Sequence, residues 1–304
     1  MNEEYINHKY DILPNRMVNS MSTKKPIIAI MYDFDKTLCT RDMQEYTFIP
    51  GVGLSTKEFW QQSSDLAQNE KMDRILAYMY LMIKKSKSAS QPIRRDDFVK
   101  LGKDIEFFDG VTTWFDRIKQ YSQKQGAIVE HYIISSGLKE IIEGSEIEKH
   151  FKEIYACEFH YNENGVADWP LLSVNYTAKT QFLFRINKGV LDISNDYDLN
   201  KYVEDDDRSI PFRNMIYIGD GFTDVPCMKL VKVNGGYSIA VYKKRQKQKV
   251  EDLLIHNRVD FIALADYSEN NELDCIIKKI IDKIVIVSGL ISTNRKQIKG
   301  VSHR

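Results

Sequence analysis

The segment Pro26-Ile-Ile-Ala-Ile-Met-Tyr-Asp33-Phe-Asp35-Lys-Thr37 decides the fold. Its apolar first half is typical of a strand that is buried on both faces of a parallel sheet, and acidic residues follow where that strand ends. Similar apolar runs recur at residues 127–134, 215–218, 238–242 and 260–264. Helical patterns lie at residues 111–125, 138–151, 179–187, 225–231 and 247–256. This alternation predicts an α/β fold with a Rossmann-like parallel sheet and right-handed crossover helices.

The composition is that of an ordinary globular protein. The chain has 304 residues, of which 43% are hydrophobic, and its 43 basic residues balance its 43 acidic residues. A length of about 150 residues per domain predicts two domains, and the zero net charge argues against nucleic acid as a partner. The four cysteines are too far apart for a CxxC motif, which favours a reducing cytoplasm. Residues 1–25 do not resemble a signal peptide, and residues 276–291 are too charged for a membrane span, so we expect no membrane partner.

One stretch interrupts the alternation of strands and helices. Residues 41–107 show helical patterns and no convincing strand, and we interpret them as an inserted helical domain. The core domain would then consist of residues 22–40 and 108–304, after an N-terminal extension at residues 1–21. Further along, residues 153–177 predict a hairpin, and the acidic residues 189–212 predict a surface excursion. Residues 276–291 predict an amphipathic helix that runs into a short strand or loop.

Acidic and small polar residues follow three of the apolar runs. Asp33 and Asp35 follow the first run, Ser135-Ser136-Gly137 the second, and Asp220 and Asp224 the third. Ligands of open parallel sheets bind beyond the carboxyl ends of the strands, so these carboxylates would meet if the strands are neighbours. Packed carboxylates repel one another unless a cation lies among them, and hard oxygen ligands suit Mg²⁺. The sequence therefore predicts a Mg²⁺ site.

The paired acids after the first strand suit phosphoryl transfer. One carboxylate of Asp33 and Asp35 can attack phosphorus and form an aspartyl-phosphate. The other can protonate the leaving oxygen and then take a proton from water. A lysine is needed to offset the charge. Lys179, at the start of a helical pattern, is better placed for this than Lys188 at its end.

Several groups near these acids are candidates to hold the phosphoryl oxygens. They are the hydroxyls of Thr37 and Ser135, and the backbone N–H groups of Phe34, Asp35 and Ser136.

These segments resemble, in the same order, the four signatures of the haloacid dehalogenase (HAD) superfamily of phosphatases. The segments are Asp33-Phe-Asp35-Lys-Thr37-Leu38, Ser135, Lys179, and Gly219-Asp220-Gly221-Phe-Thr-Asp224. The resemblance implies hydrolysis of a small phosphomonoester with nucleophile Asp33 and acid/base Asp35. It also implies Mg²⁺ bound by Asp33, the Asp35 backbone carbonyl and Asp220, with Asp224 as a ligand or a supporting residue. The helical insert resembles the C1-type cap of phosphoserine-phosphatase-like members.

The insert also supplies candidates for substrate contacts. In the phosphoserine phosphatases that the chain resembles, a cap glutamate follows the nucleophile by nine residues; here that position is Asp42, with Glu45 a turn later. Arg74 is a third candidate. We interpret the aromatic residues of the insert as packing within the cap rather than as a substrate box; these are Phe59, Trp60, Tyr78 and Tyr80.

The sequence also contains two charged runs, and it leaves three alternative functions open. We interpret the basic run at residues 243–249 and the acidic run at residues 204–207 as solvated surfaces, rather than a nucleic-acid patch and a Ca²⁺ loop. A phosphotransferase, a phospho-acceptor signalling module and a binding protein without turnover remain alternatives to a phosphatase. The lifetime of an acyl-phosphate and the identity of the products separate them. The sequence leaves the oligomeric state open.

Overall fold

A seven-stranded sheet with the order β4-β3-β2-β1-β5-β6-β7 organises the molecule. This computed structural model describes residues 25–46, 48–205 and 207–302, so the predicted N-terminal extension lies outside the described residues. The sheet is parallel except for β4, which runs antiparallel to β3. The strands are β1 (Ile27–Tyr32), β2 (Ile128–Leu138), β3 (Phe151–Tyr161), β4 (Ala167–Leu172), β5 (Met215–Gly219), β6 (Tyr237–Tyr242) and β7 (Phe261–Leu264).

Strand β1 lies at the centre of the sheet, as its continuous apolar run predicts. Residues 28–32 are fully buried, because helices cover both faces of the parallel sheet. Tyr32 is paired with Ile133 of β2 on one side and with Ile218 of β5 on the other. The carboxyl ends of these three strands therefore meet at one edge, and the five predicted strand runs and the α/β class are confirmed.

The helices follow the predicted alternation with one exception. They are α1 (Phe48–Gly51), α2 (Thr56–Asn69), α3 (Arg74–Ser88), α4 (Arg95–Leu101), α5 (Val111–Lys124), α6 (Lys139–Glu143), α7 (Lys179–Lys188), α8 (Asp196–Asn200), α9 (Val225–Val233), α10 (Gln248–Ile255) and α11 (Glu272–Ser302). The prediction of one helix over residues 138–151 was wrong beyond α6, which covers only the first part of that range. Helix α6 ends at Gly144, where any Cβ would lie 1.7 Å from the carbonyl oxygen of Val99 on α4.

Helices α1 to α4 lie between β1 and α5 in the chain, where the sequence predicts the insert. Helix α2 begins with a capping box, in which Ser55 accepts from the backbone N–H of Glu58 while the Glu58 carboxylate accepts from that of Ser55. Asp73 caps α3 through bonds from the backbone N–H groups of Ile75 and Leu76. The side chain of Asp73 also accepts from Asn175, beyond β4, at 3.0 Å. The insert is thus tied to the sheet region through the start of α3.

Two further predictions needed adjustment. The hairpin is present, but its first strand begins at Phe151 and joins the main sheet beside β2, so it is not a separate unit. The predicted excursion at residues 189–212 contains α8 and is ordered by Arg185, whose buried guanidinium donates to the carbonyls of Asp192 and Ile193 at 2.7 and 2.9 Å.

The expected strand or loop after the late amphipathic helix was wrong. Helix α11 continues unbroken for 31 residues. Its first half packs on the core through an apolar stripe that includes Leu273, Ile277 and Ile281. Among the described residues, no helix combines the length and the apolar character that crossing a bilayer requires.

Candidate active site

The loop after β1 places the first pair of acids at the edge of the sheet. The backbone N–H of Asp33 donates to the carbonyl of Ile218 at 2.9 Å and continues the pairing of β1 with β5 by one residue. The chain then turns through Lys36, which has a positive φ of 58°. Strained residues of this kind concentrate at functional sites. Asp33, Asp35 and Lys36 all line one cavity of about 420 Å³.

Acids from two strand ends converge in this cavity. A carboxylate oxygen from each of Asp33, Asp220 and Asp224 lies within 4.8 Å of the others. Lys179, at the first turn of α7, lies between two of them, with its Nζ 3.0 Å from Asp33 Oδ1 and 2.7 Å from Asp224 Oδ1. Tyr217 also donates to Asp224, at 2.8 Å. The structure thus brings together four residues that lie far apart in the sequence.

Burial of these charges shifts their pKa values. Burial, and then the charge of Asp224, raises the pKa of Asp33 to about 6, although Lys179 partly opposes this. Burial and the charges of Asp224 and Asp33 raise the pKa of Asp220 to about 8. Burial alone would lower the pKa of Lys179, but the carboxylates of Asp224 and Asp33 outweigh it and raise the pKa. The lysine is therefore charged, and one more cation would lower the pKa values of the acids.

The acid cluster has the donor set that a hard divalent cation requires. All three donors are carboxylate oxygens, which suit Mg²⁺. Asp224 Oδ2 is buried and accepts no hydrogen bond in the described part of the chain, which is costly for a charged group unless a cation or water contacts it. Gly219 is needed here, because a Cβ at that position would lie 2.5 Å from the Asp224 carboxylate. The residues present fit a Mg²⁺ ion.

Asp35 lies in the same cavity but outside the acid cluster. Its Oδ1 accepts from the backbone N–H of Met43 at 2.8 Å, so its carboxylate faces the insert. Burial, followed by the charges of Asp42 and Asp33, raises the pKa of Asp35 well above its usual range. A raised pKa favours the protonated form of a carboxyl group, which can donate a proton. The acid/base role of Asp35 and the contact of its backbone carbonyl with a metal remain predictions.

The predicted phosphate-binding groups divide into a buried set and one residue that lines the cavity. Thr37 and Ser135 are fully buried beneath the cavity, and Ser135 Oγ accepts from the N–H of Gly137 at 3.0 Å. The side chain of Phe34 packs edge-to-face on Phe107, so its role would be limited to its backbone. Ser136 lines the cavity.

Ser136 is also engaged in bonds of its own. Its hydroxyl donates to the carbonyl of Val174 at 2.7 Å, and its carbonyl accepts from Tyr78 at 2.7 Å.

The insert forms the other wall of the cavity. Asp42 and Arg74 line it, whereas Glu45 stands behind it and accepts from the indole N–H of Trp60 at 3.1 Å. Asp42 forms an ion pair with Lys36.

The interpretation of the aromatic residues as cap core was correct for Phe59 and Tyr78, which are buried, and in part for Trp60, which packs edge-to-face on both of them. Trp60 and Tyr78 line the cavity, and Tyr80 is 47% exposed. Helical periodicity cannot separate a core face from a cavity wall, since both are shielded from bulk water.

Sequence reasoning missed several residues of the site. Lys36 and Gln44 line the cavity, as do Ser63 and Phe222. Lys36 and Phe222 lie inside the two acidic segments, and this position in the sequence could have identified them as site residues. Nothing in the pattern around Gln44 or Ser63 distinguishes them from ordinary helix residues.

Comparison with known proteins identifies the class to which this fold and site belong. Residues 30–229 match the haloacid dehalogenase-like hydrolase family, and the chain belongs to that family. It is a hydrolase of this family, as the sequence predicts. A protein of Borreliella burgdorferi described as uncharacterized is 27% identical over 288 residues, which cover 86% of this chain and 99% of the relative.

Solved structures share the fold. A HAD family hydrolase from Salmonella enterica serovar Typhi superposes with a TM-score of 0.53 at 17% identity, covering 84% of this chain and 72% of that one. A phosphoserine phosphatase with an analogue of its phospho-aspartyl intermediate gives a TM-score of 0.51 at 15% identity, covering 84% of this chain and 99% of that one. The phosphoserine-phosphatase-like fold predicted from the four segments is confirmed.

Proposed function

We propose that this protein is a Mg²⁺-dependent phosphatase that hydrolyses a small phosphomonoester through a phosphorylated Asp33. One observation carries the proposal. Asp33, Asp220 and Asp224 present oxygens within 4.8 Å of one another, with a buried lysine between two of them, and a separate carboxyl group, that of Asp35, lines the same cavity. Two carboxyl groups with different environments, beside a cation site, are what a nucleophile and an acid/base require.

The reaction follows from these positions. A carboxylate oxygen of Asp33 attacks phosphorus, and the bond from phosphorus to the leaving oxygen breaks as Asp35 donates its proton to that oxygen. Asp35, now a carboxylate, takes a proton from a water molecule that attacks the phosphoryl group. The bond between phosphorus and the Asp33 oxygen then breaks, which restores the Asp33 carboxylate and releases inorganic phosphate. Lys179 holds Asp33 in place and offsets the charge on the transferring group.

The acid cluster would hold the metal ion. Asp33 and Asp220 would bind Mg²⁺ with the backbone carbonyl of Asp35, and Asp224 would bind it or orient the other ligands. When bound, the ion would neutralise charge on the phosphoryl oxygens. The predicted phosphate contacts of Thr37 and Ser135 and of the Phe34 and Ser136 N–H groups belong to the same proposal.

The division of the chain also has a function in this scheme. We infer a core at residues 22–40 and 108–304 and a cap at residues 41–107, whose closure excludes bulk water and selects the leaving group. The cavity of about 420 Å³ between them suits a small phosphorylated metabolite. All four cysteines are free, which fits a cytoplasmic location.

Hydrolysis of a panel of phosphorylated metabolites tests the proposal, with Mg²⁺ and with EDTA. We expect phosphate release that requires Mg²⁺ and that Asp33→Asn abolishes, because an amide cannot form the acyl-phosphate. Asp252→Asn, at an exposed position of α10, is the matched control and should retain full activity. Phosphate release that survives both EDTA and Asp33→Asn would refute the mechanism.

Asp35→Asn separates the two carboxylates. We expect an acyl-phosphate that forms slowly and persists, with turnover lower by a factor of about 10² to 10⁴. The phosphorylated enzyme can be trapped by acid quench. Full turnover in this variant would show that Asp35 is not the acid/base, and a product phosphorylated on an added alcohol would identify a phosphotransferase.

A further inference from the structure

The cap wall of the cavity contains a buried side chain that the proposed mechanism does not use. Gln44 is 2% exposed and lines the cavity, and its carbonyl oxygen Oε1 accepts no hydrogen bond in the described part of the chain. A buried amide oxygen without a donor destabilises the folded protein, because it has lost its bonds to water and gained none in return. Buried orphan groups of this kind are uncommon in native proteins, and a functional role is one of the standard reasons for them.

The backbone around Gln44 is held rigidly. The preceding residue, Met43, is fully buried and donates its N–H to Asp35 at 2.8 Å. The following residue, Glu45, accepts from Trp60 at 3.1 Å. Because both neighbours are anchored to residues that line the cavity, and Glu45 N–H also donates to the carbonyl of Asp42 at 2.9 Å, the backbone presents Gln44 at a fixed place on the wall, which favours binding of a ligand there.

Other hydrogen-bonding groups on this wall are also without protein partners. Ser63 and Ser64 of α2 and Arg74 of α3 line the cavity, and the described residues provide no hydrogen bond or ion pair to their side chains. By contrast, the carboxylate of Asp42 is paired with Lys36. The wall therefore offers donors and acceptors, but its one acidic group is already neutralised, so a hydroxylated ligand fits it better than an ammonium group.

We propose that Gln44 determines specificity by accepting a hydrogen bond from a hydroxyl of the leaving group, and that the substrates are phosphomonoesters of polyhydroxylated alcohols. The inference rests on the proposed phosphatase function and deepens it. Sites built to bond a substrate hydroxyl discriminate strongly against analogues that lack it, because the buried acceptor is then left unpaired.

The test compares two substrates and two variants. Sorbitol 6-phosphate carries hydroxyls on its leaving group, and p-nitrophenyl phosphate carries no donor there. Gln44→Met keeps the length of the side chain and removes the acceptor. We expect kcat/KM for sorbitol 6-phosphate to fall about tenfold or more, while kcat/KM for p-nitrophenyl phosphate changes less than about twofold. Gln61→Met, on the exposed face of α2, is the matched control and should change neither.

A stability measurement separates a binding role from a structural one. If Gln44 is an unpaired acceptor, Gln44→Met should raise the Tm of the free enzyme, because an apolar side chain of similar volume replaces an unsatisfied amide. A lower Tm together with equal losses on both substrates would assign Gln44 to packing and overturn the proposal. Equal kcat/KM values of wild-type enzyme for both substrates, unchanged in Gln44→Met, would overturn it as well.

Binding measurements keep this inference distinct from the phosphatase proposal. If no phosphomonoester is hydrolysed, the proposed function fails. Calorimetric titration of sorbitol 6-phosphate into Asp33→Asn and into the Asp33→Asn/Gln44→Met double variant then still decides the role of Gln44. We expect about tenfold weaker binding to the double variant, and equal binding would refute the inference.

Discussion

The two walls of the catalytic cavity differ in the extent to which their polar groups are paired within the protein, since the cap wall combines a paired group, Asp42, with groups that have no partner among the described residues. On the floor, which the strand ends form, Lys179 contacts both Asp33 and Asp224, and Tyr217 donates to Asp224. On the cap wall, Gln44 and Arg74 have no protein partner in the part of the chain that the structure describes. Groups that are paired within the protein hold a fixed reaction geometry, whereas groups that remain unpaired are free to bind a leaving group. This contrast supports the proposal that the floor carries the chemistry and the cap the selectivity.

Removal of the lysine should have the largest effect, if the floor is a paired network. Lys179→Met leaves two buried carboxylates without their shared cation, which typically costs about 3–5 kcal/mol of stability. We also expect kcat to fall about 10²- to 10³-fold, because the positive charge beside the nucleophile is lost. Urea unfolding and steady-state kinetics measure the two effects.

Lys188, at the other end of α7, is the matched control. Its Nζ donates to the carbonyls of Leu199 and Lys201 at 2.6 and 2.7 Å, away from the acids. Lys188→Met should keep kcat within about twofold. Comparable losses of kcat in both variants would mean that the floor does not depend on the Lys179 network.

A methyl group at Gly219 should disturb the floor without removing any charge. In Gly219→Ala the new Cβ would lie 2.5 Å from the Asp224 carboxylate and must displace it. Changes that misplace a residue supporting a metal ligand typically cost about 10- to 100-fold in metal affinity or activity. We expect a shift of that size in the Mg²⁺ concentration at half-maximal activity. Gly221→Ala, where a Cβ would meet nothing within 4 Å, should shift it far less.

The sheet beneath the floor should lose stability in acid through His131. Burial lowers the pKa of His131 to about 3, and its Nδ1 shares a hydrogen bond of 3.0 Å with the hydroxyl of Tyr32, which itself accepts from Trp114. The unfolded chain binds a proton near pH 6.5 and the folded chain does not. The contribution of neutral His131 to the free energy of unfolding is therefore fully present above about pH 6.5. As the pH decreases toward 3, the free energy of unfolding falls by up to about 1.4 kcal/mol per pH unit.

Urea unfolding between pH 7 and pH 4.5 measures this slope. His131→Asn retains an acceptor for Tyr32 and removes the titration, so its stability should depend less on pH than that of the wild type. Parallel pH profiles of the two proteins would show that His131 does not control acid stability.

The smallest effect is expected where the two walls meet. Tyr78 of α3 donates to the carbonyl of Ser136 at the end of β2, at 2.7 Å. Tyr78→Phe removes this bond, which is worth about 1 kcal/mol, so kcat/KM should fall about fivefold. Tyr80→Phe alters an exposed residue of the same helix and should have no effect. A loss as large as that of Lys179→Met would contradict the division of the cavity into a chemical floor and a selective cap.

Most of the floor could be predicted from the sequence. Apolar runs followed by acids predicted that the carboxylates would meet if the strands are neighbours, and the pairing of β1 with β2 and β5 fulfils that condition for Asp33, Asp220 and Asp224. This works because a strand buried on both faces needs a continuous apolar run, and because all parallel strands end at one edge.

The cap wall could not be predicted from the sequence. Gln44 and Trp60 lie in helical segments whose pattern is shared by any packed helix, and the cavity that they line exists only where α2 and α3 face the end of β2. The end of α6 at Gly144 has the same cause, since it depends on a close approach to Val99, which is distant in the chain. Local pattern specifies which faces are shielded from water, but tertiary packing determines whether a shielded face contacts the core or a ligand.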